Sequence, residues 1–120
     1  MVDSPDTFPE QGNLARNLDS IEKVVLAGDG DQILGTGDGV VRVNPPTSGT
    51  TLITLPGLMA SKGLEFFIWS DGNDTGTVTI EEQGDGMVAF ADVILTVDKD
   101  RLLVKNVAGK YWKAIDVQAT

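Results

Sequence analysis

From Glu22 onward, apolar residues come in short runs or strict alternation, each run closed by Gly, Pro, Asn or Asp. Lys23–Leu26 is a short apolar strand stopped by Gly28-Asp29-Gly30-Asp31, and Val40–Val43 is another, stopped by Asn44-Pro45-Pro46. Thr50–Leu55 is rich in β-branched residues and ends at Pro56-Gly57. Leu64–Trp69 carries large apolar groups on both parities, which predicts a central strand covered on both faces. After the turn cluster Asp71–Gly76, Thr77–Glu81 alternates cleanly and points Val78 and Ile80 inward. Val93–Val97, Arg101–Lys105 and Lys110–Ile115 read as a three-stranded meander, turning at Asp98-Lys99-Asp100 and Ala108-Gly109. The pattern predicts an all-β domain over residues 21–120. It is a small β-sandwich or partly open β-barrel of seven to nine short antiparallel strands. No internal repeat suggests a solenoid.

The first twenty residues do not fit that pattern. Phe8 lies between Pro5 and Pro9, and Leu14, Leu18 and Ile21 have the spacing of one or two helical turns. So few large apolar groups cannot order a segment alone. Residues 1–20 therefore read as an N-terminal arm, flexible until bound.

Length and composition narrow the chemistry. A chain of 120 residues with 41% hydrophobic content is one domain with a core of its own. It has no Cys, so it forms no disulfide and has no thiolate ligand or nucleophile. It has no His, the commonest general base and metal ligand. A net charge of −9 argues against binding nucleic acid or an anionic membrane. The acidic start Met1–Asp6 lacks the features of a secretory signal, so synthesis in a cytoplasm is expected.

The remaining motifs are sparse. Glu81-Glu82 is a carboxylate pair whose side chains leave a strand on opposite faces. Asp71, Asn73 and Thr75, with Gly76 next and Glu82 at the twelfth place, match part of an EF-hand loop. The flanks read as strands, so a hairpin loop is the reading and calcium the alternative. Gly35–Gly39 is Gly-rich but no Lys follows it to hold a phosphate. Neither a cofactor site nor a nucleophile–base pair is visible, and we expect no enzyme activity.

Charge is the more useful signal. Residues 1–31 carry seven acids against Arg16 and Lys23, whereas residues 99–113 carry five cations against Asp100. Lys99, Arg101, Leu103 and Lys105 share one parity, opposite the core residues Leu102 and Val104. One face of that strand is basic and suited to an acidic arm or an acidic neighbour.

The run Pro56–Asp116 contains Lys62-Gly63-Leu64-Glu65-Phe66-Phe67-Ile68, then Gly76-Thr77-Val78-Thr79-Ile80, and ends in Gly109-Lys110-Tyr111-Trp112-Lys113-Ala114-Ile115. In that order it resembles small β-domains of virion proteins of tailed bacteriophages, most closely the capsid decoration (cement) proteins. The resemblance implies a structural virion protein made in the host cytoplasm. It would bind the major capsid protein on the outer capsid surface, as an oligomer, commonly a homotrimer. It would stabilise the shell without a cofactor, nucleic acid or membrane. Phe8, Leu14 and Leu18 are then the expected capsid-binding arm, and Arg101, Leu103, Lys105 and Tyr111 the expected subunit interface. A tail-fibre, baseplate or receptor-binding β-domain, or a carbohydrate-binding module, is the alternative. An exposed Trp112 or Tyr111 would favour it.

Overall fold

A computed structural model of the protein describes residues 22–72 and 74–119. Among the described residues nine strands form two sheets. They are β1 (Lys23–Val25), β2 (Gln32–Ile33), β3 (Val40–Val43), β4 (Thr50–Thr54), β5 (Glu65–Ser70), β6 (Thr77–Glu81), β7 (Val93–Leu95), β8 (Arg101–Val107) and β9 (Tyr111–Gln118). Sheet A has the order β1-β3-β5-β8-β9, and sheet B has the order β2-β4-β6-β7. Buried side chains from both sheets, among them Val41, Phe66, Ile68, Ile53, Val78, Ile80 and Leu102, form one core. The expected all-β sandwich is therefore present.

The direction of the strands differs from expectation. Up to β6 the chain deals strands alternately to sheet A and sheet B, so each strand meets its sheet neighbour one full winding later. Such neighbours run the same way, and the pairs β1–β3, β3–β5, β2–β4 and β4–β6 are parallel. Antiparallel pairing is confined to β5–β8, β6–β7 and β8–β9. The first half is thus a short two-sided coil, despite the missing sequence repeat. Its windings differ in length: Val41 pairs back to Lys23 and forward to Ile68. Unequal windings leave no fixed period to read.

The expected meander is also corrected. β7 pairs with β6 in sheet B, while β8 and β9 form a hairpin on sheet A. The segment Thr96–Asp100 is an arch between the sheets. The Asp100 carboxylate, buried in its own turn, accepts from the backbone N–H groups of Thr96 and Val97. Asp71–Gly76, expected as a hairpin loop, is likewise an arch from β5 to β6. It packs against the preceding winding through Gly76, whose N–H donates to the Pro46 carbonyl at 2.9 Å. A Cβ on Gly76 would collide with that carbonyl and with the proline ring. The β8–β9 turn places Ala108 and Gly109 at φ 56° and 73°, as a tight hairpin turn needs.

Asn106, fully buried on β8, pins this end of the sandwich. Its amide donates to the Leu58 carbonyl and the Ser61 hydroxyl, and its carbonyl oxygen accepts from Gly109 N–H at 2.7 Å.

Candidate binding face

The outward faces of the two sheets differ in chemistry. On sheet B the register aligns Thr50 with Thr77 and Leu52 with Thr79 and Ile94. The Thr50 hydroxyl donates to the Thr77 carbonyl, and Thr54 donates to the Glu81 carboxylate at 3.1 Å. Threonines satisfy one another here, and the same face also exposes Ile94 (49%) and, beside Thr54, Ile33 (70%).

Sheet A turns aromatic as well as aliphatic groups outward. One row across it reads Val40, Phe67, Leu103 and Asp116, and the next reads Val24, Arg42, Trp69, Arg101 and Gln118. Further along lie Glu65, Lys105 and Lys113, then Val107 beside Tyr111. Val24 and Val40 are exposed, while Phe67, Trp69, Leu103, Val107 and Tyr111 are half-buried. A solvent-facing strand surface normally alternates to polar residues here. A contiguous apolar patch on a sheet face marks an interaction surface.

The polar groups on this face are held in place. Trp69 donates its indole N–H to Glu22 at 2.7 Å, and Lys99 stands over the same ring, its Nζ 4.7 Å from the centroid. Lys99 and Arg42 both reach Asp71, each at 3.2 Å. The Lys99 hydrogen bond is the main reason the Asp71 carboxyl is held below its ordinary pKa; partial desolvation opposes it. At the β9 side, Arg101 binds Asp116 at 3.0 Å and Gln118 at 2.8 Å.

The structure brings Arg101, Leu103, Lys105 and Tyr111 together on this one face, with Leu102 and Val104 buried behind it. The parity argument for β8 thus holds. Phe8, Leu14 and Leu18 lie outside the described residues. The sequence reading missed Val24, Val40, Phe67 and Trp69. Their signal was the double apolar parity of Leu64–Trp69, taken to mean cover on both faces. β5 is central, but only Phe66 and Ile68 enter the core, and Phe67 and Trp69 face outward.

Other candidates are absorbed by structure. Trp112 is 3% exposed and stacks edge-on against Phe66 at 5.7 Å, so it presents no platform to a sugar. In the 71–82 segment, Asp71 is engaged by Lys99 and Arg42, and a Glu82 oxygen accepts from Phe90 N–H at 2.8 Å. Among the described residues no group of three or more acidic, His or Cys side chains is close enough to hold a metal ion. Asp29 and Asp38 cap their own turns by accepting from Leu26 N–H and Gly35 N–H.

No protein-family model matches the chain, and no curated protein matches it.

Proposed function

We propose that this chain is a structural virion protein, a capsid decoration protein. It binds the outer surface of the assembled capsid as an oligomer and stabilises it. The observation that carries this reading is the outward face of sheet A, where Phe67, Trp69, Leu103 and Tyr111 lie together beside Lys105 and Lys113. One built binding face on a compact β-sandwich suits a clamp. The resemblance of Pro56–Asp116 to phage β-domains narrows the partner to the major capsid protein. Arg101, Leu103, Lys105 and Tyr111 supply the subunit interface of the oligomer, and Phe8, Leu14 and Leu18 the arm that binds the capsid.

The mechanism is mass action. A partner that binds only the assembled lattice stabilises that state in proportion to its occupancy. Linking copies in an oligomer adds avidity to individually modest contacts.

The test is copy number in purified particles, by quantitative mass spectrometry against the major capsid protein. Abundance comparable to that protein is the expected result. Abundance far below it overturns decoration of the shell and points to a tail component instead.

A further inference from the structure

The outer face of sheet A carries Phe67, Trp69, Leu103 and Tyr111 outward, and three observations bear on what covers it. The first is its size. Five strands spaced about 4.8 Å apart, each offering about six residues of length, make a face of about 400 Å². The face is large enough to seat a length of chain.

The second is where the chain enters. Glu22, directly before β1, has its carboxylate on this face, bound to the Trp69 indole at 2.7 Å and facing Arg42 at 3.5 Å. Residues 1–21 therefore reach the fold at one margin of the patch. Crossing from β1 to β9 takes about 19 Å, or about six extended residues. The segment is long enough several times over.

The third is charge. Residues 1–21 carry Asp3, Asp6, Glu10 and Asp19 against Arg16, together with the apolar Phe8, Leu14 and Leu18. The far margin of the face carries Lys105 and Lys113 against Glu65, a small excess of positive charge beyond Leu103. The acidic segment matches that excess, and its apolar groups match the apolar face.

We infer that the outer face of sheet A is the docking site of the chain's own residues 1–21. Tethering at Glu22 raises the effective concentration of the segment to the order of millimolar, which favours it over the same segment of another copy. Transfer of the segment to a capsid subunit would then uncover the face. The inference goes beyond the proposed function and stands without it, because its test uses no capsid.

The test reads the two tryptophans of the full-length chain by the ¹⁵N indole resonances and by acrylamide quenching. Trp69 lies on the face, and Trp112 is an internal reference in the core. In one variant Asp3, Asp6, Glu10 and Asp19 are replaced by Asn, Gln and their like (Asp→Asn, Glu→Gln). In a second, Phe8, Leu14 and Leu18 become Ser. Both should shift the Trp69 resonance and remove its protection from quencher, leaving Trp112 unchanged. Dilution of the wild type should leave Trp69 unchanged. An unaltered Trp69 in both variants overturns the inference. Protection of Trp69 that vanishes on dilution also overturns it, because the occupant would then be a second copy.

Discussion

Trp69 and Glu22 are joined at 2.7 Å across the outer face of sheet A, although 47 positions separate them in sequence. The bond ties the entry of the chain to the central strand β5, with Arg42 of β3 between them. It also fixes the orientation of the largest aromatic ring on the face, whose other side is covered by Lys99. The Trp69 ring is thus held from two directions before any partner arrives.

Replacing Glu22 by Ala removes the acceptor of the Trp69 N–H and the carboxylate facing Arg42. The expected loss is about 1 kcal/mol, the worth of one partly exposed charged hydrogen bond. Urea titration followed by tryptophan emission measures it. An unchanged midpoint would show that the bond contributes nothing to stability.

Leu102 and Leu103 are adjacent on β8 and face opposite ways. Leu102→Ala should cost about 2–5 kcal/mol, as for a fully buried leucine, while Leu103→Ala should cost under about 1 kcal/mol. Leu103→Glu should leave the fold intact and dissociate the proposed oligomer, which sedimentation velocity measures. Equal destabilisation by the two alanine variants would refute the assignment of faces.

Asn106→Ala should be among the most destabilising polar substitutions. It strands the Gly109 N–H and takes one hydrogen bond each from the Leu58 carbonyl and the Ser61 hydroxyl, which keep the Ser61 N–H and the Gly57 carbonyl as partners. A loss of about 2–4 kcal/mol is expected from thermal or chemical denaturation.

Gly76→Ala should destabilise by about 2 kcal/mol or more, because the new methyl group meets the Pro46 carbonyl and ring. Gly37→Ala, where a Cβ meets nothing within 4 Å, is the control and should change stability by under about 1 kcal/mol. Calorimetry on the two variants separates a packing requirement of the stacked windings from a general intolerance of loop glycines.

Asp71 gives the fold an acid-sensitive element. Its carboxyl is held below the ordinary value of 3.8, first by the Lys99 hydrogen bond. A lowered pKa contributes stability that is fully present above the unfolded value and disappears as pH falls through the folded one. Asp71→Asn should therefore lower stability at neutral pH and converge with the wild type in strong acid. Melting temperatures measured from pH 7 down to about pH 2 test this, and parallel curves would contradict it.

Local patterns in the chain were sufficient for the strands themselves. The alternation in Thr77–Glu81 placed Val78 and Ile80 in the core, and the parity of Arg101–Lys105 separated a basic outer edge from Leu102 and Val104. Ala108-Gly109 was legible as a tight turn from its glycine, whereas the positive φ of Ala108 was not. These features depend on neighbours a few positions apart.

Strand partnership depended on distant residues, and the sequence alone did not reveal it. Windings of unequal length left no period by which to foresee that β1, β3 and β5 would lie parallel. The turn at Asp98-Lys99-Asp100 had the composition of a hairpin yet carries the chain between sheets, since Ser70 and Gly72 supply the hydrogen-bond partners that hold the arch. The candidate face followed the same rule. Phe67 and Trp69 announced an apolar second parity, and only the tertiary structure decided that sheet B covers one side of β5 and leaves the other open. The residues determined which positions are apolar; the packing of the two sheets determined which of those positions are buried.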